Sequence, residues 1–297
     1  MTDAPRVFPA RRTRVGSDTI ARALPQRALR TVGGWCFADV FTPGVGTRPA
    51  PGIGGVGPHP HSGLHTVTWL VSGSLHHTDS LGSSAIIRPG EVNLMTAGHG
   101  VTHAETAEDP TDAPTGAQLW LAQPDRTRHG PARFAHHDDL PQLRDDKDLS
   151  FTVMVGTWQG LSSPAVVDRD ALCLAVTSRH GGRTSLTVDA GHEHGVLVLN
   201  GNTTIETASG APLTLAPGDI GHLPIGADRI TLHPGPGTDL LILGGPPERE
   251  HLYMWWNFVM RNRTEAADAA TAWNAGDRRF GPLPPSPFAP IPAPIPP

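Results

Sequence analysis

PHPHSGLHTVTWLVSG (residues 58–73) and GHEHGVLVLNG (residues 191–201) share one plan. Each opens on a His-x-His, runs through apolar and β-branched residues and stops at glycine. Each is followed by a Pro-Gly-acidic turn, RPGEV at 88–92 and APGDI at 216–220. A repeat on this scale implies duplication of one barrel-sized unit, with halves near 1–150 and 150–245. The alternation predicts short strands at 64–72, 84–88, 92–96, 117–122, 151–157, 172–177, 184–188, 195–199, 213–215, 229–232 and 239–243. Ser72-Gly73, Pro89-Gly90, Asn200-Gly201 and Pro217-Gly218 are the turns that bound them.

Composition agrees with an all-β chain. Glycine (34) and proline (31) together make about 22 % of the 297 residues, against ~12 % in average usage. Charged residues are only 17 %, too few for long surface helices, while 38 % hydrophobic residues suffice for a core. The net charge of −5 leaves no basic footprint for direct nucleic-acid binding. No apolar run approaches the ~18 residues of a membrane span, and MTDAPRVFPARRTRVG lacks the apolar core of a secretory signal. Cys36 and Cys173 make neither a disulfide framework nor a zinc-finger spacing. The sole lysine, Lys147 in RDDKDLS, is a poor Schiff-base candidate. A cytoplasmic protein is the economical expectation.

One helix is predicted, at 263–275, with Asn262 and Glu265 as an N-cap pair and Gly276 at the stop. Ala266, Ala269, Ala270 and Trp273 give it a packing face. After Phe280 come nine prolines in 17 residues, a polyproline or disordered strap or linker.

Seven of the sixteen histidines fall between 59 and 103. His59 and His61, two apart on an extended strand, project from one face. His103 and Glu105 repeat that spacing about 40 residues on, in GVTHAE. On facing strands of a small barrel the two pairs converge on one ion. Three neutral imidazoles and a carboxylate suit Fe(II), and Cu, Ni, Mn or Zn fit the same shell.

HPHSGLHTVTWLVSG, HHTDSLG, PGEVNLMTAGHGVTHAE and, near the end, FVMRNR…GDRRFG together resemble the pirin family of the cupin superfamily. The likeness is dense over 55–123, thin through 124–245, and returns at 245–281. It implies two tandem jelly-roll-like cupin barrels packed face to face, followed by a short helix and a Pro-rich tail. The implied division is an N-terminal metal-binding barrel at 1–135, a connector at 136–150, and a C-terminal, metal-free barrel at 151–245. A helical segment at 246–281 and the tail at 282–297 complete it. The family's four ligands fall on His59, His61, His103 and Glu105. Pirins carry glutamate four residues after the second histidine, where this chain has His65. With an unbroken strand His65 shares the parity of His59, His61, Val67 and Trp69 and points inward, as a fifth ligand, an acid/base group or a filler.

His77 and Asp79 read as turn formers and hydrogen-bond partners of the ligands. His99 falls at the barrel mouth or in a solvated loop. Trp69, Leu94 and Met95 line the pocket or form plain core. In the second half, His192, His194 and His222 could form a three-histidine site, although Val198 occupies the glutamate position. Pirins resemble flavonol (quercetin) 2,3-dioxygenases in some cases and regulatory cofactors in others. Two functions follow: a non-haem metal-dependent oxygenase on a small aromatic or enolic substrate, with His65 as base, or a redox- or metal-responsive protein acting on a protein partner. A two-barrel chain is expected to suffice as a monomer.

Overall fold

The computed structural model describes residues 4–15, 18–41, 54–109, 113–145, 149–207 and 211–297; Lys147 lies outside them. Two antiparallel sheets build each half. In the first, a seven-stranded sheet runs in the order Arg133–His137, Val92–Thr96, Leu64–Ser72, Thr115–Ala122, Trp35–Phe41, Asp18–Leu24, Arg11–Val15. Its partner sheet orders Gly55–His61, Val101–Ala107, Leu75–Asp79 and Ser84–Ile87. The second half repeats the plan. Seven strands are centred on Glu193–Asn200, Thr238–Gly245 and Leu172–Ser178, and four on Arg229–Pro234 and Thr203–Thr207. The chain is thus a pair of β-barrels, with a single α-helix among the described residues, Arg263–Asn274. Asn262 caps that helix by accepting from the Glu265 N–H.

The two halves share one apolar core. Leu24, Trp35, Val67, Trp69, Leu94 and Leu119 of the first pack against Met154, Cys173, Leu197, Leu241 and Leu243 of the second. Trp35 donates its indole N–H to the carbonyls of Leu172 and Gly244 at 3.2 Å each, so the seam carries a satisfied polar anchor. Strand parity follows from this seam. Along Leu64–Ser72 the odd residues face the other barrel, whereas Leu64 joins Phe37, Met95, Val101 and Trp120 inside its own.

The chain ends cross over. Arg6–Phe8, placed by sequence with the first unit, pairs with Ile220–Leu223 and completes the edge of the second barrel's sheet. The first barrel's sheet runs on to His137, past the expected boundary at 135, and Gln142–Arg144 already pairs into the second. After Gly245 the chain returns to the first barrel, where the Val259 N–H donates to the Ser62 carbonyl. Phe258, Met260 and Phe280 pack with Ala266, Ala269, Ala270 and Trp273 of the helix.

The Pro-rich tail is an ordered strap. The Ile291 N–H donates to Pro58 O at 2.9 Å. Trp273 Nε1 donates to Ile291 O, and Asn274 exchanges two bonds with Ala293. The strap lies along Gly55–His61, the edge strand that carries His59 and His61. That strand has proline at 58 and 60, which an edge position tolerates because no ladder N–H is required there.

Candidate metal centre

His59 and His61 project from the edge strand, and His103 sits directly opposite His59 on Val101–Ala107. The register slips between His103 and Glu105, so Glu105 pairs with Val56 and the extra residue lies on the proline-bearing strand. All three histidines are buried, at 6 %, 2 % and 1 % exposure, and one ring nitrogen from each lies within 4.8 Å of the others. His61 Nε2 stands 3.1 Å from His103 Nε2. Burial lowers His59 to about 4 and drives His61 and His103 well below the ordinary imidazole value, so all three are neutral near pH 7.

The surrounding groups choose the tautomers. The Gly57 carbonyl faces His59 Nδ1 at 2.8 Å and the Asn257 carbonyl faces His61 Nδ1 at 3.0 Å, so both Nδ1 atoms carry the proton. His77 Nε2 lies 3.2 Å from the Asp79 carboxylate and donates to it. The Nδ1 of a neutral His77 is then an acceptor, and it faces His103 Nδ1 at 3.3 Å. His103 therefore donates from Nδ1, and in this assignment three Nε2 lone pairs point at one another. Buried lone pairs so placed repel, and a cation between them relieves that repulsion. The donor set fits a transition-metal ion.

Glu105 does not close into the same trio. It shares His103 with His77 in a second group of three donors within 4.8 Å. Burial raises its carboxyl above the ordinary value, and His77 and Thr68 offset only part of that. Asp79 behaves oppositely. Burial works against its charge, but the His77 bond and the Ser83 N–H pull it below its ordinary value. It also accepts from Leu81 N, fixing the turn that follows. Phe134 stacks on His77 at 4.3 Å between centroids, and Trp120 meets the His61 ring edge-on at 5.1 Å.

Two family models match the chain, Pirin over residues 17–121 and the pirin C-terminal cupin domain over 173–281. The chain belongs to the pirin family. A crystal structure described as quercetin 2,3-dioxygenase from Acinetobacter baumannii is similar to this pirin over 99 % of the chain and 96 % of its own. Its sequence identity is 37 % and its TM-score 0.90. A pirin-like protein of Caulobacter vibrioides is 29 % identical across 96 % of this chain and 98 % of its own. The bacterial pirin YhhW of Escherichia coli, solved with nickel(II), shares the fold with TM-score 0.61 at 18 % identity, over 82 % of this chain and all of its own.

Two positions of this pirin differ from the sequence expectation. His65 and Trp69 do not face the barrel interior. Gly63, at φ +75°, turns the chain between the two sheets, so the parity of His59 and His61 is not carried into Leu64–Ser72. A Cβ at Gly63 would lie 2.2 Å from the Val259 carbonyl oxygen, which reserves the position for glycine. His65 instead reaches toward the second barrel, with Nε2 2.8 Å from Asp168 and Nδ1 2.9 Å from the Thr96 hydroxyl. Trp69 and Leu94 belong to the core between barrels. Met95 is fully buried on the inner side, with Phe37, Trp120 and Val101. His99 is exposed, and its carbonyl accepts from the Ser62 hydroxyl, steadying the turn after His61.

In the second barrel the three histidines do not converge. His192 and His194 face the barrel mouth, but His222 lies on the opposite face, against Phe8 and 3.9 Å from Glu193. Among the described residues, groups of three close donors occur in the first barrel alone. Sequence reasoning missed the Asn257 and Gly57 carbonyls and the role of Asp168. Backbone carbonyls leave no side-chain signature, and Asp168 is one acid in a polar loop.

Proposed function

We propose that this pirin is a metal-dependent dioxygenase of the flavonol 2,3-dioxygenase type, with one ion held by His59, His61 and His103 and with Glu105, beside His103, outside that trio. The observation that carries this reading is the convergence of three neutral, carbonyl- and histidine-oriented imidazoles in a buried site. The likeness to a protein described as quercetin 2,3-dioxygenase supports the substrate class. A bound ion, iron(II) first among iron, copper, nickel, manganese and zinc, supplies a Lewis acid and, where redox-active, an electron relay.

The protein's own groups do the rest. Glu105, beside His103, takes the proton of an enolic hydroxyl. His77, donating to Asp79, keeps its free nitrogen toward His103 and so holds that ring in place. Phe37, Met95, Trp120 and Phe134 make the surroundings of the cluster apolar, which suits an aromatic substrate. His65, committed to Asp168, is not the base; it ties the strand after His61 to the second barrel.

Protein reconstituted anaerobically with iron(II) is expected to consume oxygen in step with quercetin, and His103→Ala is expected to lose both ion and turnover. If no loaded form consumes oxygen with quercetin, or His103→Ala retains full turnover, the reading fails.

A further inference from the structure

His103 is flanked by imidazoles at both ring nitrogens. Its Nε2 stands 3.1 Å from His61 Nε2, and on the far side of the ring its Nδ1 stands 3.3 Å from His77 Nδ1. A neutral imidazole has one proton to serve two such contacts, and the contact without it sets lone pair against lone pair. Donors on one tetrahedral ion with bonds of ~2.0–2.2 Å lie roughly 3.3–3.6 Å apart, so each contact is close to the edge of a coordination shell. We infer that the first barrel has a second seat for a divalent transition-metal ion, made by His77, His103 and Glu105, with the His103 ring bridging the two ions.

The strand register assembles this seat. On Leu75–Asp79, His77 lies directly opposite Glu105 and Asp79 opposite His103, so all four side chains share a face. One donor atom each from His77, His103 and Glu105 lies within 4.8 Å of the other two. His77 and His103 are 3 % and 1 % exposed.

A separate observation is the way His77 is held. Asp79 Oδ1 accepts from the Leu81 and Ser83 N–H groups at 2.9 Å each, which leaves Oδ2 to accept from His77 Nε2 at 3.2 Å. A fixed carboxylate behind an imidazole is the usual support of a metal-bound histidine, and here it makes Nδ1 the free ligand atom. Phe134, stacked on the ring at 4.3 Å, fixes its plane.

Entry of a second ion displaces the proton between the two rings. The His103 Nδ1–H bond breaks, an Nδ1–ion bond forms, and the proton leaves to solvent. The negative charge of the bridging ring and the Glu105 carboxylate offset part of the added charge, but two cations on one ring repel, so the second binds more weakly. Two imidazoles and a carboxylate suit copper or zinc. An ion in this seat engages Glu105, so doubly loaded protein is expected to lose turnover, a consequence that rests on the proposed role of Glu105 as base.

Full-length protein stripped of metal and titrated with copper(II) chloride tests the seat itself. Bound copper is measured by elemental analysis and unpaired spins by electron paramagnetic resonance at low temperature. Wild type is expected to bind two equivalents, the second at least tenfold weaker. Its spin signal is expected to rise with the first and fall with the second, as the ions couple through the shared ring. His77→Gln and Glu105→Gln are expected to keep the first equivalent with its full signal and lose the second. His59→Ala/His61→Ala is expected to keep one uncoupled equivalent in the second seat. One equivalent in wild type, two uncoupled equivalents, or a coupled pair retained by His77→Gln overturns the inference. Quercetin turnover enters none of these outcomes, so the second seat and the dioxygenase reading fail independently.

Discussion

Asp168→Ala tests how the barrels are held together. Asp168 belongs to the second barrel's loop, yet its carboxylate accepts from three groups of the first: His65 Nε2 at 2.8 Å, Gln123 Nε2 at 2.9 Å and the Thr127 hydroxyl. Its side chain is 10 % exposed and that of His65 is fully buried. Removing one member of such a pair strands its partner, which costs ~3–5 kcal/mol. Asp168→Asn keeps an acceptor for His65 and is expected to lose less, ~1–3 kcal/mol. The pH dependence has a definite sign. Burial opposes the Asp168 charge, but His65, Gln123 and Thr127 outweigh it and hold the carboxyl well below the carboxylate range. A depressed carboxyl stabilises the fold fully above its unfolded value of ~3.9 and loses that contribution as pH falls toward the folded value. The gap between wild type and Asp168→Ala should therefore be widest at pH 7 and narrower at pH 3. Urea unfolding followed by tryptophan fluorescence measures both. A gap below 0.5 kcal/mol at pH 7, or one that widens in acid, refutes the reasoning.

Three further outcomes are expected. Truncation after Gly281 removes the bonds of Ile291, Ala293 and Pro294 to Pro58, Trp273, Asn274 and Trp255; the loss should be ~2–4 kcal/mol, with faster amide exchange confined to Gly55–His61 and its neighbours. Gly63→Ala places a Cβ 2.2 Å from the Val259 carbonyl at φ +75° and should cost more than ~1 kcal/mol in thermal unfolding. Glu105→Gln should keep the ion on the three histidines and lower quercetin turnover ~10²-fold or more. A turnover profile unchanged by Glu105→Gln contradicts its role as base.

Much of the architecture was legible in the sequence because strands with β-branched alternation announce themselves. Leu64–Ser72 and Val92–Thr96 fall on the predicted limits. The helix, its Asn262 cap and its buried alanines were equally readable. Strands rich in glycine, proline or histidine were not. Gly55–His61 carries no apolar alternation, and its strand state comes from pairing with Val101–Ala107 and from the strap across its edge. The histidine pairs flagged a cluster, since an i,i+2 spacing survives any register. Facing did not survive, because the Gly63 turn moves His65 and Trp69 into the seam between barrels. A local pattern could not reveal that the tail returns to the first barrel, or that Asp168 reaches His65 across 103 positions.

X-ray absorption on protein loaded with one equivalent of iron(II) bears most directly on the central claim. The expected shell holds three imidazole nitrogens at ~2.0–2.2 Å with oxygen completing it, falling to two imidazoles in His61→Ala. An oxygen-dominated shell in wild type, or one unchanged by His61→Ala, would contradict the proposed centre.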